Sequence, residues 1–169
     1  MYTMNKILAL TAVSVFALSV ASATTVCAET IDAHVKAEIV AQLKLTEEAI
    51  LDFGKISTGT AGLTIVMTPA GGISGDAGRH YAGTQQAGQI KVEGLANESI
   101  AITLPNSAVT IQGPTETMDV TAFNHDAGGT PALDVSGELV FNVGATLDVN
   151  ANQEVGVYNG TYTVAVIYS

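Results

Sequence analysis

Near its C-terminus the chain reads Gly156-Val157-Tyr158-Asn159-Gly160-Thr161-Tyr162-Thr163-Val164-Ala165-Val166-Ile167-Tyr168, with Ser169 following. Tyr162, Val164, Val166 and Tyr168 recur at every second position, so as a strand they share one face. Asn159-Gly160 stands just before them, and both residues tolerate the positive φ of a tight hairpin. The segment is therefore a half-buried strand entered through a turn.

The same rhythm extends upstream. Strands are expected over residues 50–56, 63–67, 89–92, 100–104 and 109–112. Others are expected over 118–123, 133–135, 138–143, 146–149 and 161–168. Gly71-Gly72, Gly113-Pro114 and Gly128-Gly129 punctuate them where turns belong. Many short strands with regular turns predict an all-β single domain with an immunoglobulin-like sandwich architecture. Residues 31–49 read two ways. Ile31, Ala33, Val35, Ala37 and Ile39 alternate with Asp32, His34, Lys36 and Glu38 as in a strand. Ile31, Val35, Ile39 and Leu43 also recur every four residues among good helix formers. Periodicity leaves strand and helix both open.

Residues 1–28 have the layout of a secretory signal: a weakly positive start, an apolar run over 7–20, then small residues. That run is short against the roughly 20 residues a spanning helix needs. Cleavage is expected after Ala23 or Ala28, leaving residues 29–169 as the folded domain, with no membrane span. If Cys27 leaves with the signal, the exported domain has no thiol and so no disulfide or cysteine chemistry. The 169 residues are 47% hydrophobic with 17 glycines, which suits a packed β domain rather than disorder. Six basic residues against 16 acidic ones give a net charge of −10. Such a surface repels phosphate backbones and anionic lipid, which excludes nucleic-acid binding and peripheral membrane attachment.

Three segments carry a family likeness: Leu51-Asp52-Phe53-Gly54-Lys55-Ile56, then Leu147-Asp148-Val149 with Ala151-Asn152-Gln153, then residues 156–164. Together they resemble the DUF4402 group of exported bacterial β proteins. They are also similar to the pilin subunits of archaic, spore-coat-U-like chaperone–usher fibres. The pilin likeness implies a sandwich lacking its final strand. A periplasmic chaperone would supply that strand in transit, and a neighbouring subunit would supply it after passage through an outer-membrane usher. It implies a homopolymer, or one with sister pilins, at the cell surface. The penultimate aromatic of such subunits matches Tyr168, and a glycine upstream of it matches Gly156. Tyr162, Val164 and Val166 would then lie beside the vacant groove. The disulfide many pilins carry has no counterpart here.

A donor strand needs main-chain donors and acceptors throughout and apolar side chains at every second position. Residues 29–40 meet both needs through Ile31, Ala33, Val35, Ala37 and Ile39. Burying Ile31, Val35 and Ile39 is worth about 1.5–3 kcal/mol each before entropy losses. The other reading of this segment is the domain's own edge strand or a capping helix.

Signals for chemistry are weak, and neither catalysis nor a cofactor is expected. His34, His80 and His125 share no metal-ligand spacing. Asp148, Asn150, Asn152 and Glu154 alternate through a turn but lack the glycine and distant Glu of a helix-loop-helix calcium site. Residues 71–88 read as a long loop with no phosphate-cradle lysine. The alternative to a fibre subunit is a stand-alone secreted adhesion module that binds a carbohydrate or matrix ligand through that loop. Such a module would have only Tyr81 there for sugar stacking.

Overall fold

The computed structural model describes residues 29–76 and 80–169. The expected signal segment and Arg79 lie outside the described residues. The chain divides into two units at Ala37/Glu38. In the first, residues 29–37 are exposed and carry neither strand nor helix.

The second unit is all-β, with antiparallel sheets arranged as a sandwich. Its described strands are β1 (Lys44–Ala49), β2 (Lys55–Ile56), β3 (Leu63–Met67), β4 (Ile73–Gly75), β5 (His80–Ala82) and β6 (Gly88–Glu93). β7 (Ile100–Thr103), β8 (Val109–Gln112), β9 (Thr117–His125), β10 (Glu138–Val149) and β11 (Ala165–Tyr168) follow. Seven of them form one sheet in the order β1-β6-β10-β3-β4, with β9 and β8 joined through β10. β10 organises that sheet. Val143 pairs with both Gly88 and His125, and Leu147 with both Ile65 and Val120. So β6 and β3 lie end to end along one edge of β10, and β9 occupies the other. β11 pairs with β7, and β2 with β5, in two small sheets.

Period-two burial makes the core. In β6 Gly88, Ile90 and Val92 point inward, and in β10 Phe141, Val143, Ala145, Leu147 and Val149 do. Two clusters result. Ile90, Val92, Phe141 and Val143 pack against Ile100 and Leu133, with Val166 and Tyr168 of β11 laid over them. Leu63, Ile65, Met67, Met118, Val120 and Leu147 form the other, covered in part by Phe53, Leu51, Ile56 and Tyr158.

Several sequence expectations need correction. Residues 31–49 hold no helix, and their only strand is β1. Residues 50–56 are not one strand, because Asp52 Oδ1 takes the N–H of Gly54 at 2.8 Å and Gly54 adopts φ 73°. That Asp turn offers the backbone an alternative to the ladder. The same competition removes the strand expected at 133–135, where Asp134 Oδ1 accepts the N–H groups of Ser136 and Glu138 at 2.8 and 2.9 Å. Residues 138–143 and 146–149 are one continuous strand. Within the loop expected at 71–88, β4 returns along β3 and β5 along β2. Residues 161–168 pair only from Ala165 onward, because β7 ends at Thr103 ahead of Pro105, which has no N–H to offer. Asn159 forms a bridge to Gln112 instead of a hairpin.

Candidate functional site

An open groove of about 1360 Å³ runs beside the terminal segment. Its floor is the inner face of the large sheet: Ile90, Ile111, Met118, Val120, Phe123 and Leu147. One wall is residues 50–58, held from behind by paired main-chain bonds of 2.8 Å between Asp52 and Gln86 and by the β2–β5 ladder. The opposite wall is residues 153–162 and Val164.

That second wall is fixed at its beginning and its end and bare in between. Gln153, only 3% exposed, anchors the beginning. Its Nε2 donates to Glu116 Oε2 and to Tyr158 Oη, both at 2.9 Å, and its Oε1 accepts from Asn150 Nδ2 at 3.0 Å. Tyr158 Oη in turn donates to the Glu154 carbonyl at 2.8 Å, and the Glu154 N–H donates to Glu116 Oε2 at 2.8 Å. Thr115 also donates its hydroxyl to the Glu154 carboxylate. Gly156 follows, and a Cβ there would lie 2.5 Å from Pro114 Cγ, so only glycine lets the wall approach the β8–β9 turn this closely. Asn159 exchanges main-chain bonds with Gln112 at 2.8 and 2.9 Å. Beyond it, Thr161, Tyr162 and Thr163 make no main-chain hydrogen bond to any described residue. Pairing resumes with β11.

The groove is apolar at its floor and polar at its rim. Leu45 and Ile50, at the β1 end, remain 38% and 61% exposed. Glu47 also lines that end, and the Tyr162 ring stacks on Phe123 with centroids 5.1 Å apart. Burial pushes the Tyr162 hydroxyl above its usual range, and the negative charge of Glu47 adds to that. An unpaired wall over an apolar floor can receive an extended peptide: main chain along the wall, alternate side chains into the floor.

Of the residues singled out for this role, Gly156, Tyr162 and Val164 line the groove. Val166 and Tyr168 do not; they pack on the Phe141 cluster. The Tyr168 hydroxyl accepts the Leu95 N–H at 2.8 Å and donates to the Ala41 carbonyl at 2.9 Å. The five donor-strand candidates Ile31, Ala33, Val35, Ala37 and Ile39 are in no strand, and all are exposed. Ile31, Val35 and Ile39 are 91%, 95% and 98% exposed. Sequence reasoning missed the Gln153 anchor and the wall formed by residues 50–58. The isolated Gln among acidic and amide residues was the available signal for the first.

The remaining polar residues are structural. Asp148 accepts hydroxyls from Thr64 and Thr121, both at 3.2 Å, across the outer face of the large sheet. Asn150 and Glu154 belong to the Gln153 anchor, and Asn152 turns the chain at φ 55°. His125 Nδ1 accepts the Ala127 N–H at 3.2 Å. Among the described residues, no group of three or more His, Cys, Asp or Glu is placed to hold a metal ion.

The family model for DUF4402, a domain of unknown function, matches residues 43–168. The chain belongs to that family. No curated protein matches it, and no solved structure does.

Proposed function

We propose that this DUF4402 chain is an exported, non-enzymatic subunit of a surface fibre, joined to its neighbours by donor-strand exchange. The observation that carries the reading is the open apolar groove whose wall at Thr161–Thr163 has unpaired main chain. An unfilled sheet edge beside an apolar cleft is an aggregation hazard unless something occupies it. The proposed occupant is residues 29–40 of another copy, or of a sister subunit. Ile31, Val35 and Ile39 of that segment are almost wholly exposed, and their spacing matches one face of a strand. The likeness to pilins adds a periplasmic chaperone and an outer-membrane usher as partners in transit.

The test uses residues 29–169. The wild-type chain is expected to form polymers in size-exclusion chromatography and electron microscopy. Val35→Asp is expected to stay monomeric, to keep its fold, and to bind an added peptide of residues 29–40. Normal polymers from the variant, or a folded variant that ignores the peptide, would overturn the reading. A monomeric wild type that retains a glycan on an array would favour a stand-alone adhesion module instead.

A further inference from the structure

Tyr162 holds an unusual place in the groove. Its ring leaves the terminal wall, stacks on Phe123 of the floor, and reaches the opposite side. There the hydroxyl lies against Gly88 of β6: a Cβ built on Gly88 would sit 2.6 Å from the hydroxyl oxygen and 3.5 Å from Leu51 Cβ. The ring therefore lies along the floor, with its tip at Gly88 on the side of the groove where Leu51 stands. The hydroxyl oxygen is enclosed, and no described residue offers it a hydrogen-bond partner. An enclosed hydroxyl without a partner loses its hydration and gets nothing back. The unoccupied protein thus carries a penalty at a side chain that lines its groove.

We propose that Tyr162 is a displaceable plug, which fills the groove floor of the unoccupied subunit and swings out when an incoming strand takes its place. The inference rests on the fibre-subunit reading and adds a regulatory element to the same groove. An apolar side chain entering from the occupant needs the volume the ring takes up. Once displaced, the hydroxyl reaches water or the occupant's main chain and regains a partner. The plug lets a free subunit cover part of its floor, while the unpaired hydroxyl keeps that covering weak enough to yield. Gly88 is the matching feature on the sheet, since any side chain there would dislodge the ring.

The experiment measures binding of a fluorescent peptide of residues 29–40 to the Val35→Asp chain, whose own extension is silenced. Two second-site variants are compared with it. Tyr162→Phe keeps the plug and removes the unpaired hydroxyl, so the free protein should gain stability and peptide affinity should fall about tenfold. Gly88→Ala should push the ring aside in advance and raise affinity by about the same factor. The Tyr162 ring carbon bearing the hydroxyl, followed by NMR, should shift when peptide is added to the Val35→Asp chain. If Tyr162→Phe stabilises the protein but leaves affinity unchanged, the hydroxyl is equally enclosed in both states and the plug is refuted. If the Val35→Asp parent binds no peptide, the fibre-subunit reading falls and takes the plug with it.

Discussion

The Tyr168 hydroxyl donates to the carbonyl of Ala41 at 2.9 Å and accepts the N–H of Leu95 at 2.8 Å, so the penultimate side chain holds the stretch leading into β1. Tyr168→Phe keeps the ring on the Phe141 cluster and deletes both bonds. It should lower the unfolding free energy by about 1–3 kcal/mol, because two main-chain groups lose their partner. Urea denaturation checks this; an unchanged midpoint would show that water replaces the hydroxyl at no cost.

The Gln153 anchor carries a second expectation. Gln153→Ala leaves Glu116, Tyr158 and Asn150 without their shared partner. The expected loss is about 1–3 kcal/mol. Because the same residues begin the terminal wall, amide exchange over residues 154–160 should accelerate more than exchange in β6 or β10. Uniform acceleration would mean that the anchor supports the whole domain and not the wall.

Asp134 gives the acid limb of stability a specific origin. The N–H groups of Glu138, Ser136 and Gly137, with a smaller contribution from the Lys91 charge, hold its carboxyl below the usual range. A carboxyl depressed on folding contributes stability that is complete above its unfolded pKa and is lost as pH falls through its folded one. Asp134→Asn should therefore flatten the decline of melting temperature below about pH 4 relative to wild type. Parallel curves for the two proteins would contradict this assignment.

Gly144, midway along β10, lies where a Cβ would press on the Met67 carbonyl oxygen and approach Pro69 N at 2.8 Å. Both obstacles are backbone and cannot rotate away. Gly144→Ala should cost about 2–3 kcal/mol. Gly129 has nothing within 4 Å of its would-be Cβ, so Gly129→Ala should be within about 0.5 kcal/mol of wild type. Similar thermal shifts for the two would refute the argument.

Strands whose inward face is apolar were legible from alternation alone, and β3 and β8 match their expected limits residue for residue. Alternation failed where a side chain diverted the backbone, as Asp52 and Asp134 do, because one local hydrogen bond outweighs a short ladder. It also failed at Gly144, which falls between two expected strands but lies inside β10 as a close contact. Half of the groove was visible in advance: Tyr162 and Val164 alternate correctly, yet the same period placed Val166 and Tyr168 beside them. All four pack against the Phe141 cluster, but only Tyr162 and Val164 also face the groove, since Val166 and Tyr168 lie within the β11–β7 ladder, whose extent the periodicity of the terminal strand does not encode. The wall at residues 50–58 was hidden because Ile50, Leu51, Phe53 and Ile56 read as the apolar residues of an ordinary strand.

Both core clusters draw residues from β10: Phe141 and Val143 for one, Ala145, Leu147 and Val149 for the other. Among the described strands no other supplies fully buried residues to both, although the partly buried Phe123 of β9 also packs against each. Loosening either half should therefore loosen its counterpart, and melting should proceed as one calorimetric event even though the interior is partitioned.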